Sequence, residues 1–102
     1  MPIVVKLESA EGAILESLPD SGEVLQRTLP NYDDATFRLL TKIDWYGDAE
    51  FEPPQMGLFV EELQRIVSSA ADAQQINYLE RLRRIALRCG ATPGSKLRFL
   101  GD

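Results

Sequence analysis

The stretch that decides the fold is residues 44–67, DWYGDAEFEPPQMGLFVEELQRIV, which begins as an acidic, aromatic loop and ends as an amphipathic helix. Pro53 and Pro54 suit a helix start, because proline fixes φ near its helical value and lacks an N–H that the first turn does not use. The apolar residues that follow share one helical face: Met56, Phe59, Val60, Leu63, Ile66 and Val67. This pattern predicts a helix that lies on a core, with its acidic side, including Glu61 and Glu62, in water.

A second helix is predicted further along the chain. Asp72 is a suitable N-cap, Gly90 stands where a left-handed C-cap is expected, and Pro93 prevents continuation. Cys89 is interpreted as a buried structural residue, because the carboxyl end of a helix disfavours a thiolate. The apolar face of this helix is made of Ile76, Leu79, Leu82, Ile85, Ala86 and Cys89.

Short strands are predicted near both ends of the chain. Alternating apolar residues predict strands at residues 2–8 and 13–18, joined as a hairpin, and a last strand at residues 96–100 that pairs with the first. The fold class is therefore α+β: a small antiparallel sheet, formed by an N-terminal hairpin or meander plus the C-terminal strand, packed by two long helices. The length of 102 residues suits a single domain over residues 1–102.

Two segments between the hairpin and the loop are less regular. Residues 24–29 are a candidate third strand, which would extend the hairpin into a meander. Residues 35–40 are either a short helix capped by Asp33 or Asp34, or an irregular segment.

The charge of the chain is uneven. The formal net charge is −5, with thirteen acids and five bases in residues 1–70 but three acids and six bases in residues 71–102. This balance argues against a nucleic-acid-binding protein, which would present a basic face. No apolar run is long enough for a membrane span or a secretory signal, and the single cysteine fits a reducing compartment, so the expected location is cytoplasmic.

The sequence lacks most residues that carry catalysis. It has no histidine, which excludes Ser-His-Asp and Cys-His arrangements and a histidine zinc site, and it has no glycine-rich phosphate loop. The carboxylates of residues 44–52 do not fit the spacing of an EF-hand loop. We therefore predict no catalytic residue, no metal and no cofactor. The alternative is a small carboxylate or metal-dependent enzyme that uses Asp48 and Glu50, or Glu50 and Glu52, as acid and base.

The loop and the C-terminus resemble a group of small, uncharacterised bacterial proteins. Their central loop reads approximately D-P-Y-G-D-x-x-F-x-x-x-Q-M before a helix, and their C-terminus ends near L-R-F-x-G-D; Trp45 replaces the proline here. The matching residues are Asp44, Tyr46, Gly47, Asp48, Phe51, Gln55, Met56, Glu61, Glu62, Leu63, Leu97, Arg98, Phe99, Gly101 and Asp102. The resemblance implies no catalytic residues. In size and acidity the chain also loosely resembles the immunity proteins of bacterial polymorphic toxins.

The acidic, aromatic loop has the composition of a protein-interaction patch, in which aromatic anchors are surrounded by a charged rim. Such a surface suits a basic protein partner. The predicted function is thus a non-catalytic binding module, such as an immunity-type inhibitor of a basic toxin or enzyme; a self-associating accessory protein that forms a homodimer is a further alternative. The predicted partner-binding residues are Asp44, Trp45, Tyr46, Asp48, Glu50 and Glu52.

A basic face is predicted on the second helix, where Arg81, Arg84 and Arg88 recur at helical spacing. Three interpretations stay open: a solvated face near the helix C-terminus, an internal bridge to the acidic loop, or a contact with an anion or RNA. The net negative charge of the chain disfavours the last of these.

Overall fold

A computed structural model describes residues 3–19, 25, 28–30, 36–43, 47–68 and 72–101. Its strands are β1 (Val4–Glu8), β2 (Ile14–Pro19), β3 (Asp48–Phe51) and β4 (Lys96–Leu100), and its long helices are α1 (Met56–Val67) and α2 (Ala73–Gly90). The strands form one antiparallel sheet in the order β2-β1-β4-β3. The predicted α+β fold is confirmed, and so is the pairing of the last strand with the first.

The sheet has one apolar and one polar face, because successive side chains of a strand point to opposite sides. Val5 and Leu7 of β1 are fully buried, whereas Lys6 between them is partly exposed and stands beside Arg98 of β4. Both long helices contact each other and cover the apolar face. The buried side chains that this face contributes are Val5, Leu7, Leu18, Phe51, Leu97 and Phe99.

Three aromatic rings join α1 to the sheet. Phe59 of α1 lies with its ring centroid 5.2 Å from Phe51 of β3 and 5.7 Å from Phe99 of β4, and the two strand rings are 5.6 Å apart. These tilted and edge-on contacts are favoured by the ring quadrupoles. The predicted apolar stripe of the first helix is thus confirmed, and it fixes the position of β3 beneath the helix.

The helix ends agree with the sequence-based prediction in part. Pro53–Gln55 form a 3₁₀ turn that leads into α1, and the side chain of Asp72 accepts a hydrogen bond from the N–H of Gln75 as the N-cap of α2. The predicted left-handed cap at Gly90 is wrong, because this residue ends the helix and is followed by Ala91 at φ −93°. Gly94 has the positive φ instead, at 79°.

The two ambiguous segments are only partly described. A strand at residues 24–29 is wrong where it can be compared: Leu25 and Thr28 are helical, and the N–H of Leu29 donates to the carbonyl oxygen of Leu25. Of the two alternatives for residues 35–40, the irregular segment is confirmed over the described residues 36–39, and the helix is wrong there; a 3₁₀ turn follows at Leu40–Lys42. The proposed caps Asp33 and Asp34 lie outside the described residues.

Two side chains of the helices are placed opposite to expectation. Glu62, expected in water, is 0% exposed, whereas Ile76, expected in the core, is 39% exposed. The carboxylate of Glu62 accepts hydrogen bonds from the backbone N–H groups of Arg38, Leu39 and Leu40 at 3.0–3.2 Å. These bonds compensate the loss of hydration, so that a charged side chain can lie in the core.

Candidate protein-interaction edge

The second half of the predicted acidic loop is an edge strand. β3 begins at Asp48, and among the residues that the structure describes it pairs with β4 alone. Phe51 is buried beneath α1, whereas Asp48 and Glu50 are exposed on the polar face of the sheet. The expectation of a loop is wrong here, and the correction places two predicted partner-binding residues side by side on one strand.

Arg98 of β4 is the centre of a charge cluster on the polar face. Its guanidinium lies 2.8 Å from the carboxylate of Glu8 on β1, 3.1 Å from Glu50 and 3.8 Å from Asp48 on β3. Lys96 lies 3.8 Å from Glu50. The hydrogen bond to Glu8 and the charge of that carboxylate raise the pKa of Arg98, and the charges of Glu50 and Asp48 act in the same direction.

The carboxylates of this cluster are unequally exposed. The side chain of Glu8 is 18% exposed, that of Glu50 is 46% exposed and that of Asp48 is 58% exposed. The Arg98 guanidinium contacts all three carboxylates. No group of three or more histidine, cysteine, aspartate or glutamate side chains in the described part of the chain is arranged to hold a metal ion.

The pairing of β3 with β4 fixes the direction of its backbone groups. The N–H of Gly101 donates to the carbonyl oxygen of Gly47 at 2.8 Å, one step beyond the ladder. In an antiparallel pair, hydrogen-bonded and non-hydrogen-bonded positions alternate. Ala49 is therefore a hydrogen-bonded position, and the N–H and C=O groups of Asp48 and Glu50 point away from β4, toward the outer edge of the sheet.

The edge ends at Glu52, which is also exposed. The N–H of Glu52 donates to the side-chain oxygen of Gln55 at 2.7 Å, and the Glu52 side chain accepts from the backbone N–H of Gln55. This reciprocal pair is a capping box, which satisfies two donors at the start of the 3₁₀ turn. Glu52 thus continues the row of exposed carboxylates, while its own N–H is already bound.

Three of the predicted partner-binding residues, Asp44, Trp45 and Tyr46, lie outside the described residues. The part of the predicted patch that can be described is therefore its carboxylate part. Two basic side chains contact these carboxylates, those of Lys96 and Arg98, and neither was identified from the sequence as part of the site. Their signal was the alternation of basic and apolar residues in K-L-R-F-L, which matches the alternation in D-A-E-F.

The predicted basic face lies on α2, with Arg81, Arg84 and Arg88 exposed. Arg88 donates to the carboxylate of Glu16 on β2 at 3.1 Å, with about half of the Arg88 side chain exposed. Its bridge therefore reaches the β2 edge of the sheet instead of the acidic segment. The basic residues that reach Asp48 and Glu50 come from β4.

Two other features lie near this region. An open groove of about 650 Å³ borders the edge and is lined by Glu52, Pro53, Pro54, Gly90, Pro93, Gly94, Ser95 and Lys96. Cys89 is fully buried behind it, and burial raises the pKa of its thiol although the hydroxyl of Ser95 and the backbone of Leu97 act against this rise. The predicted burial of Cys89 is thus confirmed.

Comparisons of the chain with family models, curated proteins and solved structures found no match. The resemblance to the small bacterial proteins consequently stays a prediction. Among the residues that the structure describes, no helix is both long enough and apolar enough to cross a membrane.

Proposed function

We propose that this protein is a non-catalytic binding module whose acidic edge recognises a basic protein partner. The observation that carries the proposal is the row of exposed carboxylates Asp48, Glu50 and Glu52 along one edge of the sheet. Opposite charges steer association and select partners, and they do so with a strong dependence on salt. An immunity-type inhibitor of a basic toxin or enzyme is the form of such a module that small size and acidity favour.

The neighbourhood of the edge also supports the proposal. Trp45 and Tyr46 precede it in sequence, separated from Asp48 by Gly47, and would add aromatic anchors to the charged rim, to which Asp44 would add a further carboxylate. Phe51 holds the strand from below through its contacts with Phe59 and Phe99. A strand fixed in this way presents its carboxylates with little loss of conformational entropy on binding.

The test is capture of the partner with a matched pair of charge variants. Asp48→Asn/Glu50→Gln removes two charges from the edge, and Glu11→Gln/Glu61→Gln removes two from exposed positions elsewhere. Each immobilised protein is exposed to lysate of the native source at low and moderate salt, and bound proteins are identified and quantified. We expect one near-stoichiometric basic protein, retained by the wild type and by the control pair, and lost from the edge variant.

Trp45→Ala extends the test to the aromatic part of the predicted patch. We expect this variant to capture less of the same partner, because aromatic anchors dominate binding energy at interfaces. If the edge variant and Trp45→Ala both capture the partner as well as the wild type does, this surface is not the binding site and the proposal fails.

A further inference from the structure

The sheet has two outer edges, and they differ in how open they are to another strand. β2 is interrupted by a bulge, since Leu7 pairs with Glu16 while the next residue, Glu8, pairs with Ile14. β2 also ends at Pro19, which has no N–H. Bulges and prolines are devices that prevent edge-to-edge pairing. The four residues of β3 contain no bulge and no proline, and Asp48 and Glu50 are exposed, so the protection of this edge rests on its shortness and on its acidic side chains.

The outer edge of β3 offers backbone groups in the pattern that strand addition needs. The N–H and C=O groups of Asp48 and Glu50 point outward, and the structure gives them no hydrogen-bond partner among the residues it describes. An added antiparallel strand would form hydrogen-bonded pairs at these two residues. The pairing would end at Glu52, whose N–H is bound to Gln55.

The side chains of β3 define the sequence of the strand that fits. Asp48 and Glu50 stand on the polar face, so the residues directly opposite them should be basic. The intervening residues would lie on the side of Ala49 and Phe51 and should be apolar. β4, the neighbour that β3 already has, follows this rule at Glu50, which pairs with Arg98 at 3.1 Å. Asp48 stands opposite Leu100 and reaches Arg98 diagonally at 3.8 Å, and Lys96 lies 3.8 Å from Glu50.

The β3 strand of a second copy of this chain is not a suitable added strand, because it has no basic residues to place opposite Asp48 and Glu50. Pairing two β3 strands would place carboxylates of Asp48 and Glu50 opposite one another, and like charges in directly opposed positions destabilise a sheet. The acidic side chains thus prevent self-pairing at this edge while they favour a basic strand. This is selection by repulsion as well as by attraction.

We infer that β3 binds its partner by strand addition, with an extended segment of alternating basic and apolar residues pairing antiparallel to Asp48–Phe51. The inference rests on the proposed function, for which it supplies the binding mode. Backbone hydrogen bonds at Asp48 and Glu50 give the segment its alignment, and the two carboxylates select its basic residues.

The first experiment uses the complete protein and a labelled peptide, Ac-TKVRVKT-NH2, in a fluorescence anisotropy titration. Two methylated forms are matched controls: one carries N-methyl groups on its basic residues, and the other carries them on its valines. In antiparallel addition the N–H groups of the basic residues face β3, so methylation there should weaken binding about tenfold or more. Methylation of the valines should leave the affinity nearly unchanged, and the charge-reversed peptide Ac-TEVEVET-NH2 should not bind.

The second experiment changes the protein. Glu50→Ala and Glu50→Pro both remove the carboxylate and with it the ion pairs to Arg98 and Lys96, but only proline also removes the outward N–H. Neither variant disturbs a backbone hydrogen bond to β4, because the N–H and C=O groups of Glu50 point away from that strand. We expect Glu50→Pro to bind the peptide several-fold more weakly than Glu50→Ala. Urea unfolding of both variants checks that they are folded; if the proline variant is not, the methylated peptides decide the question on the wild-type protein.

The outcomes separate the binding mode from the proposed function. Equal affinity of the two methylated peptides, together with weaker binding by Asp48→Asn/Glu50→Gln, would overturn strand addition and leave a charge-driven module intact. Absence of peptide binding at millimolar concentration would also overturn strand addition, and the captured partner would then test the module by itself. Loss of affinity confined to the peptide methylated on its basic residues supports the inference.

Discussion

The protein holds carboxylates in two contrasting ways. Glu62 of α1 is fully buried and is bound by three backbone N–H groups, without a cationic side chain among its hydrogen-bond partners. Asp48 and Glu50 of β3 are exposed and meet the side chain of Arg98. The first arrangement ties two parts of the chain together, whereas the second leaves charge available at the surface. Burial therefore separates a structural carboxylate from a candidate recognition carboxylate.

The segment that Glu62 holds is also fixed by its neighbour one turn away. Arg65 donates to the carbonyl oxygen of Thr36 at 2.7 Å, and its guanidinium lies 4.5 Å from the ring centroid of Phe37. Residues 36–43 are thus attached to α1 by a carboxylate at one point and by a cation at another. On the polar face of the sheet, by contrast, a single arginine serves three carboxylates.

The largest effect is expected from Glu62→Gln. The amide keeps the size of the side chain, but its NH₂ group turns a donor toward backbone N–H groups that need an acceptor. Leaving such buried donors unsatisfied should lower the free energy of unfolding by about 3 kcal/mol. Urea denaturation measures this change, and Glu61→Gln, at the adjacent exposed position, should stay within about 0.5 kcal/mol of the wild type. Equal stability of the two variants would show that the buried bonds contribute little.

An intermediate effect is expected from Arg98→Met, which keeps the aliphatic bulk of the side chain and removes its charge. The carboxylates of Glu8, Asp48 and Glu50 would then face one another without the cation between them. We expect a lower urea midpoint than in the wild type, a smaller loss than in Glu62→Gln, and partial recovery at high salt because salt screens repulsion between exposed charges. A loss that does not depend on salt would contradict this electrostatic origin.

The sequence predicted the elements whose pattern is long and local. The apolar spacing of Met56, Phe59 and Leu63 is repeated over several turns, and alternation in β1 and β4 identifies both strands. β3 was missed because it has only four residues and lies between an acidic segment and two prolines. The alternation of acidic and apolar residues in β3 indicates a strand only when it is compared with the alternation of basic and apolar residues in β4.

Glu62 could not be placed from the sequence for a different reason. Hydrophobic periodicity assigns a charged residue to the solvent side, although this position lies three residues from Phe59 and four from Ile66, both buried. The compensating donors belong to Arg38, Leu39 and Leu40, more than twenty residues earlier in the chain. A contact of that kind depends on tertiary structure, which no local pattern contains. The exposure of the β3 carboxylates, by contrast, could be predicted, because charged side chains normally lie in water.

The smallest effect is expected for Arg88 and Glu16, an exposed ion pair that the structure describes between α2 and the sheet. Their side chains are 49% and 37% exposed, against 28% and 18% for Arg98 and Glu8. A double-mutant cycle with Arg88→Gln and Glu16→Gln should give a coupling energy of about 0.5 kcal/mol or less, because water competes for both groups. A coupling as large as the loss in Glu62→Gln would mean that exposure does not rank these carboxylates, and the distinction between structural and recognition sites would fail with it.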